Sequence, residues 1–173
     1  WRYNMEVRSR ILKRRSIRKY KDQSLSKEII KDLLECAMAA PSACNKQPWE
    51  FYVIVNQTLL EQVKKIGKYT NFNSPCVIVV CGNRQRTLSK RENDFFIQDC
   101  SAAIENILLR AISLGLGTVW CGIMPMEVTY KKAKEVLELP EYIEPLGMIH
   151  IGYPLEEKEE RTQYNEDYVH IYE

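Results

Sequence analysis

The sequence predicts one α/β or α+β domain of three layers, with helices on both faces of a sheet of about four or five strands. Three observations lead there. Apolar residues recur at helical spacing in some segments and in short unbroken runs in others, and the two kinds alternate along the chain. The unbroken runs, such as Phe51–Val55 and Cys76–Cys81, read as strands covered on both faces. A length of 173 residues with 45% hydrophobic content suits a single domain, residues 1–173, with a core of its own.

In chain order, Asn4 is placed to cap a first helix with Met5, Val7, Ile11 and Leu12 along one side. Its basic last turn, Arg14-Arg15-Ser16-Ile17-Arg18, complements the helix dipole. Ser26 caps a second helix, in which Ile29, Ile30, Leu33, Leu34, Ala37 and Met38 repeat until Pro41 stops it. A polar loop leads into the strand 51–55. Asn56 or Thr58 then starts a helix with Leu59, Leu60, Val63 and Ile66 that closes near Gly67, before the strand 76–81.

The segment 94–114 is apolar over much more than one stripe, so it is expected to be buried nearly all round. The domain's own sheet covers one side of such a helix; a second subunit is inferred for the other. Gly115 ends it, Thr118–Cys121 is a third strand running into Gly122, and a short helix lies between Pro125 and Pro140. The run 146–151 is a fourth strand. Beyond it, residues 153–173 form a charged arm, with β-prone Tyr168–Tyr172 expected to pair with a sheet edge of its own or a partner chain.

Charge is unevenly placed. The net charge is +2, yet the first 21 residues carry arginines and lysines against Glu6 alone, and the tail from Glu156 is acidic. This asymmetry suggests an anion site near the start, or two ends meeting across an interface. Cys36, Cys44, Cys76, Cys81, Cys100 and Cys121 form no CxxC pair and sit mostly in apolar runs, as buried thiols of a reducing compartment do. The start does not read as a signal peptide, and no apolar run reaches the roughly 18 residues of a membrane span, so a cytoplasmic protein is expected.

Motif by motif, much chemistry is excluded. There is no phosphate-binding P-loop, and the glycines at 115, 117 and 122 follow a helix instead of a strand. His150 and His170 are the only histidines and lie in no metal-ligand pattern. Ser42 has no nucleophile-elbow context. An enzyme built this way needs a cofactor to carry its chemistry.

The loop Pro41–Phe51 is the natural ligand-facing candidate. It offers the Ser42 hydroxyl and the Asn45 and Gln47 carboxamides, stiffened by Pro41 and Pro48. The alternative is an ordinary helix-to-strand connection.

Taken together, five stretches resemble the nitroreductase family of FMN-dependent flavoproteins. They are 14–18, 41–49, 99–106, 114–122 and Ile151-Gly152-Tyr153-Pro154, in the family's order across nearly the whole chain. The resemblance implies an α+β fold of α/β/α layers with a mixed central sheet. It also implies a homodimer with FMN in the subunit interface, and a C-terminal arm reaching the partner. Arg14, Arg15 and Ser16 match phosphate-binding positions, with Arg161 as a late basic residue for the same phosphate. Arg18 matches the position beside the flavin's pyrimidine edge. Pro41, Ser42, Ala43 and Asn45 match a loop lent by the partner, with Gln47 just behind it. Trp120, Cys121, Gly122 and Ile123 match the segment over the central ring, where a backbone N–H of Gly122 or Ile123 would meet N5.

No catalytic side chain is implied. Where the family often has an acidic residue, this chain has Gly122. A residue near Asn71 or Asn73 is a further flavin-contact candidate. The activity implied is an NAD(P)H oxidoreductase reducing a small nitroaromatic, quinone or related acceptor by two hydride transfers. Alternatives are a flavin-fragmenting or dehalogenating enzyme of the same family, a non-catalytic FMN carrier and a nucleic-acid-binding module; the near-neutral net charge opposes the last.

Overall fold

The computed structural model describes residues 7–88, 95–160 and 162–173. The order of elements is α1 (Val7–Lys13), α2 (Lys27–Met38), β1 (Trp49–Ile54), α3 (Gln57–Lys64), β2 (Cys76–Asn83), α4 (Phe95–Ser113), β3 (Gly117–Gly122), α5 (Glu127–Val136) and β4 (Ile143–Gly152). The strands form one sheet in the order β1-β2-β4-β3, with every ladder antiparallel. It is mixed only at its β3 edge, where Ser16 makes an isolated parallel bridge to Thr118.

Alternation along β2 and β4 builds the two cores. Cys76, Ile78 and Val80 with Ile149 and Ile151 face α2 and α4. Val77, Val79 and Cys81 with Met148 face α3 and α5. A strand that feeds two cores has no polar face, and β2 and β4 are buried along their whole length.

The capping signals are realised. Ser26 accepts from the Ile29 N–H, and Asn56 from the Leu59 N–H. Gly115 takes φ 71° just beyond α4, where a side chain would be strained. Asn4, offered as the cap of α1, lies outside the described residues. The helix itself buries no residue, and Val7 and Ile11 are exposed.

Within α4 only Gln98 is exposed. Much of the cover comes from the chain itself: Leu33 and Ala37 of α2 share a core with Ile104 and Ile107. Asn106 Nδ2 donates to the Cys36 carbonyl at 3.0 Å, and Arg110 forks onto Asp32, with Nε 3.0 Å from Oδ1. The all-round burial of this helix therefore does not by itself require a second subunit.

The C-terminal arm differs from expectation. Tyr153–Lys158 docks along the chain's own basic segment, whereas Tyr168–Tyr172 forms no strand. A 3₁₀ turn spans Glu166–Tyr168, and Tyr168, Ile171 and Tyr172 are exposed. A β-prone run becomes a strand only where a ladder accepts its backbone, and among the described residues no edge of its own chain does so.

Candidate functional site at the free edge of the sheet

The site begins with the basic segment that follows α1. The Ile17 N–H donates to the Thr118 carbonyl at 2.8 Å, laying the chain at Ser16 and Ile17 alongside β3 just past the last helical turn, which the Arg14 N–H closes onto Arg10. This close approach requires Gly117, because a Cβ there would stand 2.7 Å from Ile17 Cγ2. Buried Tyr20 pins the far end: its hydroxyl donates to the Ile17 carbonyl, and its backbone is clasped by Asn73 at 3.1 and 2.8 Å. The arm straps the outside, with Lys158 Nζ on the Ser16 carbonyl at 2.6 Å and Glu156 accepting from the Arg18 N–H at 2.5 Å.

An extended chain turns successive side chains to opposite sides. Arg14 and Ser16 line one hollow of about 440 Å³, together with Glu105 of α4 and with Trp120 and Gly122 of β3. Arg15 turns away, donates to the Glu159 carbonyl and lines a different hollow with Lys158. Of the residues expected at the phosphate, Arg14 and Ser16 are thus brought together in one hollow, and Arg15 lies in another. Arg161 lies outside the described residues. Arg14 rests 3.7 Å from Glu105, whose carboxyl is pushed up by burial and drawn back in part by this arginine.

Antiparallel ladders send the backbone groups of successive residues to alternate edges. The Ile123 N–H bonds inward to the Leu146 carbonyl at 2.9 Å, whereas Thr118 directs its carbonyl outward to Ile17. With Gly122 opposite Gly147 in register, Trp120 and Gly122 share the outward phase of Thr118. The Gly122 N–H therefore faces the free edge beyond the end of the basic segment. Ile123, named beside it as a candidate donor, is fully buried with its N–H taken, so that part of the expectation is corrected. The Trp120 indole lies against Gly147, where a Cβ would come 2.4 Å from Nε1.

On the other side of Trp120 and Gly122 opens a cavity of about 1240 Å³, which Arg18 also lines. Its far wall is the segment Lys65–Phe72 and its rim the start of α5. The Thr70 hydroxyl holds that wall, donating to the Lys64 carbonyl at 2.7 Å and accepting from the Gly67 N–H at 3.0 Å. Behind it, fully buried His150 places Nδ1 2.8 Å from Ser74 Oγ and its ring edge-on to Phe72. Burial lowers His150 to about 3, keeping the imidazole neutral. Asn73 is committed to Tyr20, and Asn71 lines the cavity, which separates the two asparagines offered by the sequence. Burial pushes the Cys121 thiol up to about 11, only partly offset by Arg18, so it is a neutral wall group and no nucleophile.

The loop after α2 stands apart. Pro41, Ser42, Ala43, Asn45 and Gln47 line none of these hollows. The loop is nevertheless sharply shaped. Cys44, Asn45 and Gln47 hold φ of 47°, 54° and 48°, a conformation that costs of order 1 kcal/mol or more per residue away from glycine. Ser42 Oγ accepts from the Gln47 N–H at 3.0 Å, Asn45 accepts from the Gln47 amide, and buried Asp99 accepts from the Ala43 N–H at 2.9 Å. Sequence reasoning missed Asp99 as a loop anchor and, Asn71 apart, Lys65–Phe72 as a wall; no local pattern marks either, since both act through contacts distant in sequence.

The donor set suits a flat phosphorylated ring system: a guanidinium and hydroxyl side by side, a second guanidinium two residues on, an outward backbone N–H and a broad slot beside it.

Comparison with known proteins gives the family. A family model described as Nitroreductase family matches residues 11–71 and 58–153. A protein of Archaeoglobus fulgidus named "Putative NADH dehydrogenase/NAD(P)H nitroreductase" is 42% identical over 165 residues, 92% of this chain and 94% of its own. Among solved structures, an FMN-dependent nitroreductase from Clostridium difficile R20291 is 31% identical with a TM-score of 0.84, covering 94% of this chain and 96% of its own. A crystal structure described as "a putative nitroreductase in complex with fmn", from Desulfovibrio desulfuricans, is 26% identical with a TM-score of 0.80, covering 94% of each chain.

Proposed function

From the premise that the chain belongs to the nitroreductase family, we propose that it binds FMN along the free edge of β3. There it works as an NAD(P)H-dependent oxidoreductase on small acceptors such as nitroaromatics or quinones. Bound FMN would supply the redox chemistry, a hydride relay between the reduced nicotinamide and the acceptor. The chain's own groups bind and orient. Arg14 and Ser16 hold the phosphate by charge-assisted hydrogen bonds. Arg18 sets a fixed positive charge at the pyrimidine edge. The outward Gly122 N–H would donate to the bound ring system, and Trp120 and Cys121 would line its site. No side chain is required to transfer a proton to the flavin.

The observation that carries this reading is the outward-facing Gly122 N–H between the Arg14–Ser16 hollow and the large cavity lined by Arg18.

A second copy of the chain completes the site in this proposal, lending Pro41–Gln47. The exposed, hydrogen-bonded loop that meets no hollow of its own chain supports this, as does the exposed tail at Tyr168–Tyr172.

The test is spectroscopic. Purified protein should be yellow, release FMN on heating, and be bleached by NADH or NADPH without air. A coloured protein that stays oxidised would be a carrier, and one that takes up no FMN would remove the reading.

A further inference from the structure

We infer that the large cavity selects the reduced nicotinamide dinucleotide that bears the extra phosphate monoester, NADPH over NADH, through Lys65, Lys68 and Lys132. This rests on the oxidoreductase reading and names the donor of that same site.

Three observations carry it. First, at about 1240 Å³ the cavity exceeds the roughly 300–1,000 Å³ of a typical single-ligand pocket, leaving room beyond a flavin ring. Second, its far wall and rim carry Lys65, Lys68 and Lys132, none of which reaches the Arg14–Ser16 hollow. These cations are thus separated from the flavin phosphate by Trp120 and Gly122, which line both spaces. Third, the positive charge is uncompensated. Glu127 is the one carboxylate lining the cavity, and Lys131 already pairs with it at 2.6 Å. Neither Lys65 nor Lys132 makes an ion pair among the described residues, and Lys68 rests over the Tyr69 ring at 5.2 Å.

Charge balance selects the ligand. The pyrophosphate common to both dinucleotides carries two negative charges, while a phosphate monoester adds about 1.5 to 2 more. Three ammonium groups without a carboxylate partner, beside Arg18, exceed what the pyrophosphate alone neutralises and match the additional dianion. Lysines act there as mobile point charges, suited to a phosphate at the open end of a wide cavity. Exposed Tyr69 beside Lys68 adds a face on which the adenine can stack.

The experiment uses the FMN-loaded protein and a triple variant, Lys65→Ser, Lys68→Ser, Lys132→Ser, whose positions are all exposed. Steady-state kcat/KM is measured for NADPH and NADH, with 4-nitrobenzoate and 4-nitrobenzamide as paired acceptors. The expected result is a wild-type preference for NADPH that falls about tenfold or more in the variant, at unchanged FMN content. A donor ratio that is the same in both proteins overturns the inference. So does a variant that alters only the ratio of the charged to the neutral acceptor, because the lysines then read the acceptor. Protein that holds no FMN, or oxidises neither dinucleotide, overturns the oxidoreductase reading instead, and the two failures are therefore distinct.

Discussion

Ile17 lies on Gly117 at the edge of β3, its N–H 2.8 Å from the Thr118 carbonyl, and this contact decides where the arginines point. One bond and one absent side chain turn the basic end of α1 into an edge segment with Arg14 and Ser16 on one side and Arg15 on the other.

Gly117→Ala should therefore disturb binding more than folding of the sheet. The added Cβ would stand 2.7 Å from Ile17 Cγ2, an overlap that costs about 1–3 kcal/mol unless the segment shifts. The expected outcome is a lower urea midpoint together with weaker FMN retention. Wild-type retention would show that the position of Ile17 does not govern the phosphate contacts.

Arg14→Ala and Ser16→Ala should each weaken FMN retention by roughly tenfold or more, as loss of a charge-assisted contact does. Stability should barely change, because the Arg14–Glu105 pair is about a third to a half exposed and worth at most about 1 kcal/mol. Arg15→Ala should have a smaller effect, since its side chain turns to the arm. Flavin fluorescence on dilution reads all three, and equal losses at positions 14 and 15 would contradict the alternation.

The wall of the large cavity should loosen in acid. His150 is lowered to about 3 in the folded protein but titrates near its ordinary 6.5 when unfolded. The unfolded chain thus binds the proton first. Stability is full above about pH 6.5 and falls by up to about 1.4 kcal/mol per unit as the pH drops toward 3. Urea midpoints between pH 7.5 and 4.5 should show this slope, and His150→Gln should flatten it. An unchanged slope in the variant would assign the acid sensitivity to other groups.

Asp99 should matter through the loop it anchors. Asp99→Ala removes the acceptor of the half-buried Ala43 N–H and should cost about 1–3 kcal/mol, while Asp99→Asn keeps an acceptor and should cost less. If the loop serves a second copy's FMN, retention should fall in the same order. The order is read from urea midpoints and flavin release in parallel, and equal losses in both variants would assign the effect to the charge.

Much of this was legible in the chain. The strands announced themselves as apolar runs at 51–55 and 76–81, within a few residues of the observed 49–54 and 76–83, and the caps Ser26 and Asn56 sat where short polar side chains satisfy open N–H groups. The cluster Arg14–Arg18 and the run Trp120–Gly122 were visible as residue types suited to a phosphate and to close approach. Such signals are local, set by period, propensity and charge within a few residues.

Sequence alone thus determined the three layers, the order of the elements and the inventory of groups able to hold a phosphorylated ring. Only the tertiary structure decided that Arg15 turns away, that the Ile123 N–H is spent inside the sheet while that of Gly122 is turned outward, and that Asn73 clasps Tyr20 while Asn71 meets the cavity. The reason is physical: the direction of a side chain or an N–H follows from pleat and register, which exist only once distant strands have paired.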